Sequence, residues 1–355
     1  MLPVYFNGKF YAGSLNGVHR VADRLICEYD RVLTSMAPAD RPRVTLLVPR
    51  KRKWQPELRS INLVEEDRAH GQRWEQTRLP RLASDGVLIN LCNLAPLRHP
   101  RQLLLLHDAQ FMFSDSGYPL RQRLGYRFLV PRMARASTTV LTVSDYSRQM
   151  LDVLGVISRQ KTQVLYNGAD HIIEQAADVS ILSEFSLVSG NYVLAFGSPK
   201  PYKNISIVLK AMEQVRDKLL VIVGSSRMHL EGAGLQIPLN TKFVGSVDDR
   251  KLRALYEHAH CLAFPSRTEG FGLPPVEAML CNCPVIAAPG GAVPEICRDA
   301  VAYADVDDAD GWAKEIFSVR ETQFAFKRQM ANDRARSFTW SKSGLTLADH
   351  ISKLL

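Results

Sequence analysis

Two α/β domains, each built on a parallel β-sheet, are predicted for this 355-residue chain by three observations. Short apolar runs alternate with amphipathic stretches from one end of the chain to the other, and that alternation favours parallel sheets. The length suits about two domains rather than one. The third observation is the stretch at residues 267–285, RTEGFGLPPVEAMLCNCPV, which follows the apolar run CLAFPS at 261–266. That order reads as buried strand, glycine loop and helix. Pro274 and Pro275 fall at the helix start, where amide N–H groups have no intrahelical partner to lose.

The elements follow in order. VYFN (4–7) is the first expected strand, and GKFYAGSLNG leads into a helix from about Val18 to Leu33, with Val21, Leu25 and Val32 on one face. RVTLLV (43–48), INLV (61–64), GVLINL (86–91) and QLLLLH (102–107) continue the strands. A helix is expected between Tyr118 and Ala136. TTVLTVSDYSRQML (138–151) reads as strand then helix, capped by Ser144 or Asp145. Asn167-Gly168 is a turn signal. In the second half, helix signals near 179–186 precede the strand YVLAFGS (192–198), the loop PKPYKN and the helix ISIVLKAMEQVR (205–216). LLVIVGSS (219–226) and KFVGSV (242–247) are strands, followed by an amphipathic helix carrying Leu252, Leu255 and Tyr256. Beyond the central stretch, PVIAAPGGAVPEI (284–296) gives a strand and a Gly-rich loop. VAYADVDDADGWAKEIFSV adds strand and helix, and the tail from Phe338 adds a last helix.

Composition bounds the function. A hydrophobic content of 46% is ordinary for a globular protein. There is no run of about 18 apolar residues to span a membrane, and MLPVYFNGKF lacks the pattern of a secretion signal. The six cysteines form no C-x-x-C pair and read as buried thiols in a reducing cytoplasm. Asp305, Asp307, Asp308 and Asp310 lack the pattern of a calcium loop and read as solvated. The net charge of +9 lies wholly in residues 1–175, with 25 Lys and Arg against 16 Asp and Glu. Such a half suits nucleic acid, an anionic membrane or an acidic acceptor. With no nucleic-acid module present, the membrane surface is favoured. Its candidates are Arg50, Lys51, Arg52 and Lys53, with Trp54 as interfacial anchor, and Arg121 and Arg127. The latter two belong to an arginine-rich stretch interleaved with Leu120, Leu124, Phe128 and Leu129.

The residues that carry chemistry cluster around Glu269 and Glu277, eight positions apart, with Gly270 and Gly272 just after the first. A helix N-terminus fronted by glycines offers N–H donors and a positive dipole end to a phosphate. A carboxylate farther along can accept hydrogen bonds from vicinal hydroxyls such as those of a ribose; the plain alternative is a pair of solvated glutamates. His107-Asp108 ends a strand, where ligands of open α/β sheets collect. His107 is therefore expected to hydrogen-bond a sugar hydroxyl or to handle a proton at neutral pH. Gly17 stands in a Gly-rich strand-to-helix turn.

EGFGLPPVE resembles the E-x7-E motif of retaining glycosyltransferases of glycosyltransferase family 4, which have the GT-B fold. Other segments agree. Gly17-Val18-His19-Arg20 is similar to the family's G-I-G-R turn, with His19 at the second glycine. His107-Asp108, VSDYS and VLYNGAD resemble its H-D, V-S-x-x-S and V-x-x-N-G-x-D segments. Gly197-Ser198 departs from the family's Gly-Arg. Lys203 stands where the family lysine falls, and Lys200 is either solvated or a replacement cation. The resemblance implies two Rossmann-like domains facing a cleft. Residues 1–170 would bind the acceptor, 171–338 would bind the nucleotide-sugar, and 339–355 would form a helix crossing back to the first domain.

It also implies the division of labour. Glu277 would bind ribose hydroxyls. Glu269 and the backbone of Gly270, Phe271, Gly272 and Leu273 would hold sugar and β-phosphate. Lys203 and Ser198 would lie at the diphosphate, and Val247 would border the base. Glu269, His107 and Lys203 are the expected catalytic residues, with no metal and no cofactor. The expected reaction moves a sugar, mannose or glucose favoured, from a nucleotide diphosphate-sugar such as GDP-mannose or UDP-glucose. The acceptor would be a polyprenyl-diphosphate-linked sugar or an oligosaccharide, and the chain would be cytoplasmic, peripheral on the inner face of the cell membrane. The rival readings are a catalytically silent nucleotide-sugar-binding subunit and a basic nucleic-acid-binding protein.

Overall fold

The computed structural model describes residues 1–67, 71–114, 117–319 and 323–355, the side chains of 323–326 excepted. It divides into two compact units. The first comprises Met1–Phe113, Tyr118–Gly168 and Trp340–Leu355, the second Ser114–Gly117 and Ala169–Thr339. Among the described residues, no helix is long and apolar enough to cross a membrane.

The first unit holds a seven-stranded sheet: β1 (Val4–Asn7), β2 (Val44–Pro49), β3 (Asn62–Glu66), β4 (Val87–Asn90), β5 (Gln102–Leu106), β6 (Thr139–Thr142) and β7 (Thr162–Val164). Its order is β3-β2-β1-β4-β5-β6-β7 and every pairing is parallel. Every residue of β1, β4 and β5 is buried, as in strands covered on both faces. The helices are α1 (Gly17–Ser35), α2 (Gly71–Thr77), α3 (Leu79–Leu82), α4 (Leu120–Ala136) and α5 (Asp145–Val153). Asn16 caps α1 by accepting from the His19 amide at 3.0 Å, and Ser144 caps α5 by accepting from the Ser147 amide.

The second unit holds β8 (Tyr192–Phe196), β9 (Leu219–Val223), β10 (Thr241–Gly245), β11 (Cys261–Phe264), β12 (Val285–Ala287) and β13 (Ala302–Tyr303). They pair in parallel in the order β10-β9-β8-β11-β12-β13. Its helices are α6 (Ser180–Glu184), α7 (Ile205–Met212), α8 (Arg227–Gly232), α9 (Asp249–His258), α10 (Leu273–Leu280), α11 (Val293–Cys297), α12 (Ala309–Ser318) and α13 (Gln323–Ala335). Strand order reverses between β8 and β11. Loops leaving the C-terminal ends of strands at such a switch diverge to opposite faces and open a crevice, the usual ligand site of this architecture.

The last helix, α14 (Trp340–Ser352), belongs to the first unit and packs on α1. A Cβ on Gly344 would overlap the Cβ of Glu28, so the two helices touch backbone to backbone there. Trp340 is buried, and Ser343 Oγ donates to the Tyr166 carbonyl at 2.6 Å. Five helices carry no sequence signal: α2, α3, α8, α11 and α13. The first four have four to seven residues, too few turns for an apolar stripe to repeat. α7 ends at Met212 rather than near 216.

Candidate functional site

At the switch point of the second unit, two loops come together. One leaves β8 through Gly197 and Ser198, makes a 3₁₀ turn at Pro201–Lys203 and enters α7 through Asn204, held at φ +52°. The other leaves β11 through Pro265 and the buried Ser266 and runs to Gly272, which starts α10 at φ +91°. That is a left-handed conformation natural to glycine. Gly272 also has no side chain to cap α10, and because Pro274 and Pro275 lack N–H groups the helix start offers the Leu273 amide.

The loops are tied by backbone and by charge. The Arg267 amide donates to the Tyr202 carbonyl at 2.8 Å, and Lys203 Nζ donates to Glu269 Oε1 at 2.6 Å. A third segment, Gly290-Gly291 after β12, lies under Glu269. The Ala292 amide donates to the Glu269 carbonyl at 2.9 Å. A Cβ on Gly291 would overlap the backbone of Glu269, and one on Gly290 would come 2.5 Å from the Arg267 carbonyl oxygen. The two glycines therefore fix the position of the Glu269 loop.

Glu277, one and a half turns into α10, is buried. Its Oε2 accepts from the Tyr256 hydroxyl at 3.0 Å, and its Oε1 lies 3.1 Å from His171 Nε2. Burial, and then the charge of Glu277, push the Tyr256 hydroxyl far above its ordinary range, so it stays a donor. The remaining expected donor residues of this unit follow the C-terminal ends of β8, β10 and β11. Ser198 Oγ accepts from the Lys200 amide at 3.3 Å. Lys200 and Lys203 both lie over the Tyr202 ring, 5.9 and 5.2 Å from its centre. Phe271 is buried edge-on against Phe338, and Leu273 and Val247 are half-buried. Among the described residues no three His, Cys, Asp or Glu side chains gather as a metal site would require.

His107 and Gly17 belong to the first unit. His107 follows β5, its amide donating to Asn93 Oδ1 at 2.7 Å. Its Nε2 lies 2.8 Å from the Leu91 carbonyl, an acceptor, so Nε2 carries the proton and Nδ1 is left to accept. Burial lowers its pKa to about 4, the charge of His19 acting in the same sense and the Leu91 bond against it. Of the two roles expected for this residue, proton handling at neutral pH is corrected: the ring is neutral and a weak base. Hydrogen bonding to a hydroxyl is the role its geometry allows. Gly17 opens α1, and a Cβ there would meet nothing within 4 Å, so the position makes no steric demand for glycine.

The basic surface is also revised. Arg50 pairs with Asp67 at 3.1 Å and Arg52 with Glu65 at 2.7 Å, while Lys53 reaches Ser14 Oγ at 3.2 Å and Lys51 is exposed. Trp54 is not an interfacial anchor. It is half-buried, edge-on to Tyr11 at 4.5 Å, and its indole N–H donates to the Gly13 carbonyl at 3.0 Å. Arg121 and Arg127 stand exposed on α4 beside Leu120, Leu124 and Phe128, which are 60%, 55% and 57% exposed.

His171 and Tyr256 escaped the sequence reading. Tyr256 sits on an apolar helix face and His171 directly follows a turn motif, so neither had a pattern of its own.

Residues 184–338 match the family model described as Glycosyl transferases group 1. The match supports a glycosyltransferase, and it takes in both loops of the switch point. The chain is 29% identical over 237 residues to the O-antigen chain mannosyltransferase RfbU of Salmonella typhimurium strain LT2, covering 64% of this chain and 63% of that protein. It is 28% identical over 265 residues to the O-antigen chain mannosyltransferase B of Escherichia coli, covering 69% and 68%. The chain thus spans just under two thirds of the Salmonella protein. Among solved structures, sucrose-phosphate synthase from Thermosynechococcus elongatus superposes with a TM-score of 0.73 at 15% identity, covering 100% of this chain and 99% of that one. Anabaena HepE in complex with UDP and glucose gives 0.70 at 19%, covering 99% and 100%. At those identities the likeness shows the fold, which is GT-B, two Rossmann-like domains on parallel sheets.

Proposed function

We propose that this chain is a retaining hexosyltransferase of the family 4 type. It takes mannose or glucose from a nucleotide diphosphate-sugar and delivers it to a hydroxyl of a lipid-linked or polysaccharide acceptor. One observation carries the reading: a cation and a carboxylate, Lys203 and Glu269, are held together beside the glycine-started α10 at the switch point. A diphosphate seated there meets Lys203, the Leu273 amide and the positive end of the α10 dipole, which stabilise the charge that grows as the bond to the sugar breaks. Glu269 turns to the sugar hydroxyls, and Glu277 takes the ribose. The acceptor hydroxyl bonds to the anomeric carbon on the face the phosphate leaves, and its proton passes to the departing phosphate oxygen. Donor choice is supported by the O-antigen mannosyltransferases and by Anabaena HepE, solved with UDP-glucose.

The acceptor side is proposed to meet an anionic bilayer on the inner face of the cell membrane, through α4 rather than through residues 50–53. Exposed Leu120, Leu124 and Phe128 recur every fourth residue beside the exposed Arg121 and Arg127, the pattern of a helix lying in an interface. The test is release of nucleoside diphosphate from UDP-glucose and GDP-mannose by the purified chain. One donor is expected to be turned over, and Glu269→Ala to remove at least about 99% of that rate. Binding without turnover of any donor would favour a silent subunit.

A further inference from the structure

Glu277 is a carboxylate that the fold has taken out of water, and three segments distant in sequence meet on it. α10 carries it, α9 brings the Tyr256 hydroxyl to Oε2 at 3.0 Å, and the 3₁₀ turn Asp170–Ile173 brings His171 Nε2 to 3.1 Å from Oε1. Tyr256 is fully buried, and the His171 and Glu277 side chains are 0% and 6% exposed. A buried carboxylate is tolerated only when its oxygens meet donors or cations; here Oε2 accepts from the Tyr256 hydroxyl and Oε1 faces the His171 ring nitrogen at ion-pair distance. These two contacts also restrict the rotation of the side chain about its last bonds. An ionised carboxylate has about four lone-pair sites, so about two remain for a ligand.

We propose that His171 and Tyr256 are positioning residues for the nucleotide: they lock the Glu277 carboxylate in the orientation that accepts a pair of vicinal ribose hydroxyls. The proposal rests on the reading of Glu277 as the ribose-binding residue and adds the two groups that make it rigid. Neither touches the ligand. Both act through Glu277, so their loss weakens donor binding and leaves the chemical step alone.

The test is calorimetric titration of UDP and GDP into the intact chain and its variants Tyr256→Phe, His171→Leu, His171→Gln, Glu277→Gln and the double variant Tyr256→Phe/Glu277→Gln. Thermal melting checks that each is folded, and steady-state kinetics separates KM from kcat. For whichever nucleotide binds, Tyr256→Phe and His171→Leu are expected to raise Kd and donor KM about five- to tenfold with kcat nearly unchanged. His171→Gln, which keeps an N–H at the same reach, is expected to restore most of the affinity. The double variant is expected to bind no more weakly than Glu277→Gln alone, because the positioning effect is gone once its target is gone. Wild-type affinity in both Tyr256→Phe and His171→Leu, with Glu277→Gln weakened, would overturn the proposal and leave the ribose reading intact. Losses that add in the double variant would also overturn it, by showing a general structural role. Unchanged affinity in Glu277→Gln would overturn the ribose reading and the proposal together.

Discussion

On the proposed reading, single residues divide the work at the switch point, and their environments differ accordingly. Glu269 pairs with Lys203 at a half-exposed loop, where an incoming diphosphate can compete for the cation; Glu277 is buried and already oriented. Glu269→Ala is therefore expected to lower kcat by about a hundredfold or more while changing nucleotide Kd less than about threefold. Glu277→Ala is expected to do the reverse, raising Kd about tenfold or more. Steady-state kinetics with calorimetry checks both, and equal small effects would remove the distinction. His107 makes a separate prediction. Its folded pKa of about 4 lies below the ordinary histidine value of 6.5, so between those values the unfolded chain binds the extra proton. Its contribution to stability is thus lost as pH falls from 6.5 to 4, by roughly 3 kcal/mol in all. Denaturant titrations across that window are expected to show a shallower pH dependence in His107→Gln. An unchanged slope would mean that His107 is not held neutral by burial.

Elements set where those residues stand. The Glu269 loop is held from below by Gly290-Gly291, and Gly291 sits at φ +64°. Gly291→Ala must displace the Glu269 backbone and strain its own, a cost of about 1–2 kcal/mol for the left-handed conformation alone. The expected result is loss of transferase activity at a temperature where the chain is still folded, which circular dichroism beside the assay would show. Much of this was legible beforehand. EGFGLPP announced strand, loop and helix because glycine and paired prolines punctuate the backbone locally, and the buried runs VYFN and QLLLLH announced covered parallel strands. What escaped was long-range. Trp54 looked like an anchor until Tyr11 and Gly13, some forty residues upstream, were seen to hold it. His171 and Tyr256 acquire meaning only from Glu277, which lies 106 and 21 positions away. A pairing of that kind leaves no local signature.

For the whole molecule, net charge is an argument about partners rather than fold. The first half carries the entire excess of +9, and within it Arg50 and Arg52 are the arginines that face Asp67 and Glu65, which offsets the local charge of residues 50–53. Neutralising Arg121 and Arg127 is therefore expected to weaken binding to anionic vesicles about thirtyfold, at roughly 1 kcal/mol per charge near the surface. Neutralising Arg50 and Arg52 is expected to do much less. Co-sedimentation with phosphatidylglycerol vesicles compares them, and the opposite ranking would move the membrane face to residues 50–53. The central claim, that the β8–β11 switch point grips a sugar nucleotide, is tested most directly by thermal melting against UDP-, GDP-, dTDP- and ADP-sugars. One donor at about 100 times its Kd is expected to stabilise the wild-type chain by roughly 2.7 kcal/mol and to stabilise Lys203→Ala far less. No shift with any donor, or an equal shift in Lys203→Ala, would contradict it.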